Sequence, residues 1–227
     1  MKIYSMTDIH GCLPEFNCAL SLIENQLEDQ DTKLILLGDY IHGPDSYGVL
    51  DRIIGLQQKY GSKKVIALLG NHEEMVCNGW CSISSEHFDY GSSTKQSDRS
   101  YIMWMKRLPR YYTEGKTIFV HAGINEEAAD LWELSTDKYT FVEKYPAQTG
   151  KFYANQKIVA GHVGTAGISG DSSFHDIFYD GESHYYIDGT VLESGIIPVL
   201  MVDTDKDQYY SVTKNGEQPI LPYCVQN

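Results

Sequence analysis

The first third of the chain alternates short apolar runs with amphipathic stretches, and the runs stop on polar clusters. Residues 1–7, Met1-Lys2-Ile3-Tyr4-Ser5-Met6-Thr7, carry a strand pattern that runs into Asp8. Leu13-Pro14-Glu15 then opens a helix, with proline in the first turn and an acid at the positive end of the dipole. Phe16, Ala19, Leu20, Ile23 and Leu27 recur at helical spacing and define its buried face. Lys33-Leu34-Ile35-Leu36-Leu37 reads as a strand covered on both faces and delivers Gly38-Asp39. A second helix is predicted from about Tyr47 to Tyr60, with Val49, Leu50, Ile53, Ile54 and Leu56 apolar. The third run, Lys64 to Leu69, delivers Gly70-Asn71-His72. Asp8 to Asp39 and Asp39 to Asn71 are separated by 31 and 32 residues, each about one βαβ unit. Parallel strands joined by crossover helices put consecutive strand ends on one edge of the sheet, so three polar loops are expected to converge there.

Residues 82–100 break this rhythm. The stretch is rich in serine (Ser82, Ser84, Ser85, Ser92, Ser93, Ser97, Ser100) and is predicted to be a loop insertion, either plain surface or a substrate lid. Helical spacing returns over Tyr101 to Leu108, and Tyr111 to Val120 reads as a hairpin turning near Glu114-Gly115-Lys116 and ending at His121. Lys157 to Ala160 leads to Gly161-His162, and strand-like stretches follow around 174–179, 185–188, 196–203 and 209–212. A second sheet stacked on the first accommodates them economically. The expected fold class is therefore α/β, a four-layer α/β/β/α sandwich, with residues 1–227 as one domain.

At 227 residues the chain is long enough for one large, well-buried core. A formal charge of −13 argues against general nucleic-acid binding or attachment to an anionic membrane. The N-terminal stretch lacks the apolar core of a signal peptide, and no run approaches the ~18 apolar residues of a membrane span. Five cysteines (Cys12, Cys18, Cys77, Cys81, Cys224) are an odd count, which favours reduced thiols and a cytoplasmic location. Cys77 and Cys81 have the spacing of one helix face, but a zinc site would need a second pair, and only His87 is near in sequence.

The chemistry sits in five polar signatures: Asp8-Ile9-His10-Gly11, Gly38-Asp39-Tyr40, Gly70-Asn71-His72-Glu73, His121-Ala122-Gly123 and Gly161-His162. Carboxylate, imidazole and carboxamide donors gathered at a sheet edge suit two divalent cations such as Mn²⁺, Fe²⁺ or Zn²⁺, with Mn²⁺ the first choice. A natural allocation gives one ion Asp8 and His10, the other Asn71, His121 and His162, with Asp39 bridging. A hydroxide shared by the ions would attack phosphorus in line, with Asp39 and His72 as the catalytic residues and His72 protonating the leaving oxygen.

Taken together, these residues resemble the calcineurin-like metallophosphoesterases, in particular the branch of phosphoprotein phosphatases and diadenosine tetraphosphate hydrolases. Gly43-Pro44-Asp45-Ser46 and Ile187-Asp188-Gly189-Thr190 extend the likeness across roughly residues 1–205. The resemblance implies the sandwich fold, the dinuclear metal site and hydrolysis of phosphate esters or anhydrides. It points first to phosphorylated protein as substrate, with a dinucleoside polyphosphate or small phosphorylated metabolite as the alternative. A module that holds phospho-ligands without hydrolysing them is the competing class. The family's second block usually reads Gly-Asp-Tyr/Leu-Val-Asp-Arg-Gly-Pro, where the later Asp orients the acid histidine and the Arg clamps phosphate. Here Gly38-Asp39-Tyr40-Ile41-His42-Gly43-Pro44 is one residue shorter, and His42 stands where Asp-Arg is expected. Glu133 also occupies a place where relatives often carry Arg. Substrate contacts are accordingly expected from His42, Asn71 and His72, with Arg99, Arg107 and Arg110 as substitute cations and Asp45 or Glu73 orienting His72.

Overall fold

The computed structural model describes residues 1–85, 96–152 and 154–224. Three parallel strands, β1 (Lys2–Met6), β2 (Thr32–Leu36) and β3 (Val65–Ala67), form the first half of one sheet. Two helices connect them. α1 (Leu13–Ser21) is followed by a 3₁₀ turn at Glu24–Glu28, and α2 (Ser46–Tyr60) is capped by the Asp45 carboxylate, which accepts from Gly48 N at 2.9 Å. The single helix expected through Leu27 thus breaks after Ser21, and its last apolar residue, Leu27, is buried from the 3₁₀ turn. α3 (Asn71–Cys77) follows β3, and α4 (Arg99–Met105) follows the segment containing residues 86–95, which lie outside the described residues. Most of the expected 82–100 insertion therefore falls there, while its final two residues already belong to α4.

The second sheet is built from β4 (Tyr111–Glu114), β5 (Thr117–Val120), β6 (Lys157–Ala160), β7 (Phe178–Tyr179) and β8 (His184–Tyr186), in the order β4-β5-β6-β8-β7. β5, β6 and β8 run parallel, and antiparallel strands close both edges. α5 (Trp132–Ser135), α6 (Lys138–Glu143), α7 (Thr165–Ser169) and α8 (Val191–Ser194) are short and lie in the connections. The chain then returns to the first sheet through β9 (Leu200–Asp203), which pairs antiparallel with β1, and adds β10 (Gln208–Thr213) and β11 (Gly216–Pro219).

Strand alternation separates three apolar layers. In the middle, Ile3, Ile35, Leu37, Leu200 and Val202 of the first sheet meet Phe119, Val159, Tyr185 and Ile187 of the second. The opposite faces send Tyr4, Met6, Leu34, Leu36 and Met201 against Phe16, Leu20, Val49 and Ile53 of α1 and α2. Ile118, Val120, Ile158 and Tyr186 pack outward against Trp132, Phe141 and Val142. The result is helices, sheet, sheet, helices: the four-layer α/β sandwich expected from the sequence. Among the described residues no helix is long and apolar enough to cross a membrane.

Candidate active site

Every parallel strand ends at the same rim, and the residue placed just beyond it is an acid, an amide or a histidine. β1, β2 and β3 lead to Asp8, Asp39 and Asn71, while β5, β6 and β8 lead to His121, His162 and Asp188. The chain must turn back sharply at these points. Asp8 (φ 50°), His10 (44°), Asp39 (56°), His42 (66°) and His162 (66°) all occupy the left-handed region. That region costs non-glycine residues energy, and Asp and His tolerate it better than most. Such strained conformations persist where the surrounding structure enforces them, typically at functional sites.

Here the enforcing contacts are visible. Asp8 N donates to Gly38 O (3.1 Å), His10 N to Asp39 O (2.9 Å) and Gly11 N to Tyr40 O (2.9 Å), lacing the first two loops together. Glu73, fully buried, accepts from Asp39 N (2.8 Å), Tyr40 N (2.8 Å) and Gly70 N (3.1 Å). Asp8 Oδ2 accepts from Thr7 Oγ1 (2.6 Å) and from His162 N (3.0 Å), which ties the two sheets together at the rim. Two glycines allow this closeness: a Cβ on Gly161 would strike the Asp8 carboxylate and Thr7, and one on Gly38 would meet His121 Nδ1 at 2.9 Å.

Asp39 is the hub. Its Oδ2 lies 3.4 Å from His121 Nε2 and 3.8 Å from both His10 Nε2 and His72 Nε2. His10 Nε2 is in turn 3.9 Å from Asp8 Oδ1. Two groups with ligand atoms within 4.8 Å of one another result, His10–Asp39–His72 and Asp39–His121–His162, and Asp39 is common to both. Asp8, Asp39, Asn71 and His121 form a buried floor, whereas His10, His72 and His162 are partly open and line the mouth.

Two features of this floor suit cations. Turned nitrogen-inward, the Asn71 carboxamide donates to His121 Nε2 (2.9 Å), Asp39 Oδ2 (3.0 Å) and His162 Nδ1 (3.3 Å). Turned oxygen-inward, it faces the same acceptor atoms, an arrangement that a cation in their midst converts from repulsion into ligation. His121 Nδ1 is buried with no hydrogen-bond partner among the described residues, so that ring is anchored only through the nitrogen aimed at Asp39. The electrostatics agree. Burial pushes the carboxyls of Asp8, Glu73 and Asp188 up, and neighbouring carboxylates push them further, while the His121 ring draws Asp8 and Glu73 part of the way back. Burial opposes ionisation of Asp39 too, but the His121, His72 and His10 rings hold it well below the usual carboxylate range. Burial lowers His72, while Asp39 pulls it back up; burial together with His121 lowers His162 to about 4, so the His162 ring favours the neutral, metal-ligating form.

The model of the calcineurin-like phosphoesterase family matches residues 1–193. The chain belongs to this family. Among curated relatives it is similar to a symmetrical bis(5′-nucleosyl)-tetraphosphatase from Buchnera aphidicola subsp. Schizaphis graminum, 29% identical over 68% of this chain and 55% of the relative. It is also similar to one from Nitrosospira multiformis, 31% identical over 55% of this chain and 44% of the relative. The chain thus spans about half the length of the curated relatives it matches. Among solved structures it resembles a cold-active protein-tyrosine phosphatase from a psychrophilic Shewanella species, with a TM-score of 0.64 at 15% identity over 97% of this chain and 80% of that one. That likeness speaks to the sandwich fold.

Against this family pattern, several expectations need correction. Neither residue proposed to orient His72 touches it: Asp45 caps α2, and Glu73 is committed to backbone N–H groups. His42, expected to face substrate, is buried, with Nδ1 2.6 Å from His72 Nδ1 and Nε2 2.9 Å from Ser82 O. Among the substitute cations, Arg110 ion-pairs with Glu74, and Arg99 and Arg107 are exposed on the surface of the α4 region. Cys77 is the last residue of α3, so Cys81 does not continue its face and lies instead 3.6 Å from His42 Nε2; His87 is outside the described residues. Glu73 as a backbone lock and Asp188 at the rim had no assigned place in the site. Asp188 was detectable, because it ends an apolar run just as Asp8 and Asp39 do.

Proposed function

We propose that this chain is a dinuclear metal-dependent phosphohydrolase, with Asp39 shared between two divalent cations. The observation that carries the reading is the position of Asp39 in both ligand groups, with acceptor atoms converging on it from both sheets. Asp8 and His10 would hold one ion, and Asn71, His121 and His162 the other. Divalent cations are what the family implies. The mixed nitrogen and oxygen donors are compatible with Mn²⁺, Fe²⁺ or Zn²⁺, and Mn²⁺ is the ion we put first. When bound, such ions supply a nucleophile from water at neutral pH and neutralise charge on the phosphoryl oxygens.

The chain's own residues do the rest. Glu73 holds the Asp39 backbone, and the bond from His10 N to Asp39 O keeps Asp39 and His10 at a fixed distance from each other. The partly open rings of His10, His72 and His162 at the mouth admit a phosphoryl group to the floor. His72, with Nε2 3.8 Å from Asp39 Oδ2, is placed to protonate the departing oxygen, a contribution of about 10²–10⁴ when general acids are well positioned. Asn71 and His72 are the substrate-facing residues.

For the substrate, the names of the curated relatives favour a dinucleoside polyphosphate or another small phosphorylated molecule over phosphorylated protein. The acidic surface, with a formal charge of −13, supports the absence of general nucleic-acid or membrane binding. Free thiols at all five cysteines support a cytoplasmic setting. The three interlocking apolar layers support reading residues 1–227 as one metallophosphoesterase domain with a loop insertion at 82–100. A panel of diadenosine tetraphosphate, nucleotides, phosphopeptides and p-nitrophenyl phosphate, assayed with Mn²⁺ by phosphate release and nucleotide chromatography, tests the proposal. Turnover of the dinucleotide above the phosphopeptides is expected. Turnover of phosphopeptides alone would reverse the substrate order, and tight phosphate binding without any turnover would favour a non-hydrolysing module.

A further inference from the structure

The contacts of His42 determine what it does beside His72. Its backbone is held in the left-handed region at φ 66° by the N–H donating to Ser46 Oγ at 3.0 Å. The ring is buried, and its Nδ1 lies 2.6 Å from His72 Nδ1, with centroids 4.8 Å apart at 61°. On its far side Nε2 lies 2.9 Å from the Ser82 carbonyl oxygen, with Cys81 Sγ 3.6 Å away.

These contacts fix the protons. A carbonyl oxygen can only accept, so His42 Nε2 carries the hydrogen and donates it to Ser82 O. In a neutral ring His42 Nδ1 is then a lone pair, and the 2.6 Å contact requires that His72 Nδ1 be the donor. His72 is thereby oriented with Nε2 facing Asp39 at 3.8 Å, toward the reaction. We infer that His42 is a positioning residue: it sets the tautomer and ring orientation of the acid His72, with the Ser82 carbonyl setting its own. The inference rests on the general-acid reading of His72 given above. In the step it supports, an oxygen from water bonds to phosphorus while the phosphorus–oxygen bond to the leaving group breaks. The leaving oxygen keeps that electron pair and takes the Nε2 proton of a His72 ring protonated on both nitrogens, which is left neutral, and the proton released by the attacking water restores it. The bridging proton stays on His72 Nδ1.

The relay also gives a purpose to the stretch after α3. Ser82 begins the serine-rich segment, and its carbonyl is the outermost link behind the acid. The start of that segment is therefore part of the site's support.

Because a general acid matters only when the leaving group is poor, substrate series separate positioning from folding. Wild type, His42→Ala and His42→Asp would be assayed with Mn²⁺ on phenyl, p-nitrophenyl and 2,4-dinitrophenyl phosphate, with metal content and melting measured for each. His42→Ala should lose about 10–100-fold in kcat on phenyl phosphate, with little change in KM, and about threefold or less on the dinitrophenyl ester. His42→Asp should recover most of the loss. Equal losses across the series, or none, would overturn the inference. Independently of any variant, ¹⁵N imidazole NMR of the metal-free wild type should report protonated Nε2 on His42 and protonated Nδ1 on His72. The opposite tautomers would overturn it even if His42→Ala fails to fold. Absence of turnover by wild type on every ester would instead count against the hydrolase reading and leave the NMR result to decide the relay.

Discussion

Raising the pH to about 9.5 should discharge one buried imidazolium that braces the loop carrying His121. His184 is 1% exposed and sits between two carboxylates, with Nδ1 2.9 Å from Asp180 Oδ2 and Nε2 3.0 Å from Glu126 Oε2. Glu126 also receives Lys144 Nζ at 3.0 Å, and the same ammonium donates to Ile124 O at 2.7 Å, so the cluster pins residues 124–126 just beyond His121. Burial pulls the imidazole down, yet Asp180 and Glu126 outweigh it and raise the group from 6.5 to about 9. The folded state therefore holds the proton more tightly than the unfolded chain. The resulting stability is fully present below pH 6.5 and is lost as the pH rises through about 9. At 1.36 kcal/mol per unit the rise corresponds to about 3 kcal/mol; the depressed acids describe the same contacts from the other side and are not added. For a chain of this size that is about 6–12 °C in Tm. Melting curves of wild type and His184→Gln at matched ionic strength, from about pH 6 to 9.5, isolate the group. Wild type should lose that amount over the range relative to the variant. Parallel Tm–pH profiles for the two proteins would refute the reasoning.

Three further outcomes follow from the geometry. Glu73→Ala leaves the buried N–H groups of Asp39, Tyr40 and Gly70 without their acceptor, so denaturant unfolding should show a loss of about 3–6 kcal/mol, with Glu73→Gln losing less. Gly161→Ala drives a methyl group into Asp8 and Thr7; Mn²⁺ affinity measured calorimetrically should fall about tenfold or more, with the far-UV spectrum unchanged. Arg110→Ala removes the partner of Glu74 at a largely buried position, and chemical denaturation should report a loss of about 1–2 kcal/mol while KM for phosphate esters stays within about twofold.

What the sequence made legible is what local pattern controls. The run Leu34–Leu37 is buried on both faces and ends at Gly38-Asp39, so the place of Asp39 at a strand end followed from period and punctuation alone. The same logic located Asp8, Asn71, His121 and His162. Pairing over long separations was not legible: nothing near Ile3 announces that Val202 lies opposite it in an antiparallel return. The short helices α5 to α8 span only four to six residues each, too few for a helical period to register. His42 illustrates a different limit. Its residue type suited a phosphate contact, and only its left-handed backbone and the approach of Ser82 turn the ring toward His72. Cys77 and Cys81 carry helical spacing, but α3 stops between them, at a boundary that four residues of pattern cannot locate.

The central claim is that two cations share Asp39. Its most direct test is metal content by elemental analysis, read together with phosphate-ester turnover, for wild type and Asp39→Asn after dialysis against Mn²⁺. Wild type should hold two ions per chain. Asp39→Asn should hold one or none, and its turnover should fall by about a thousandfold or more. Wild-type stoichiometry in the variant, or turnover in wild type that survives complete chelation, would contradict the account.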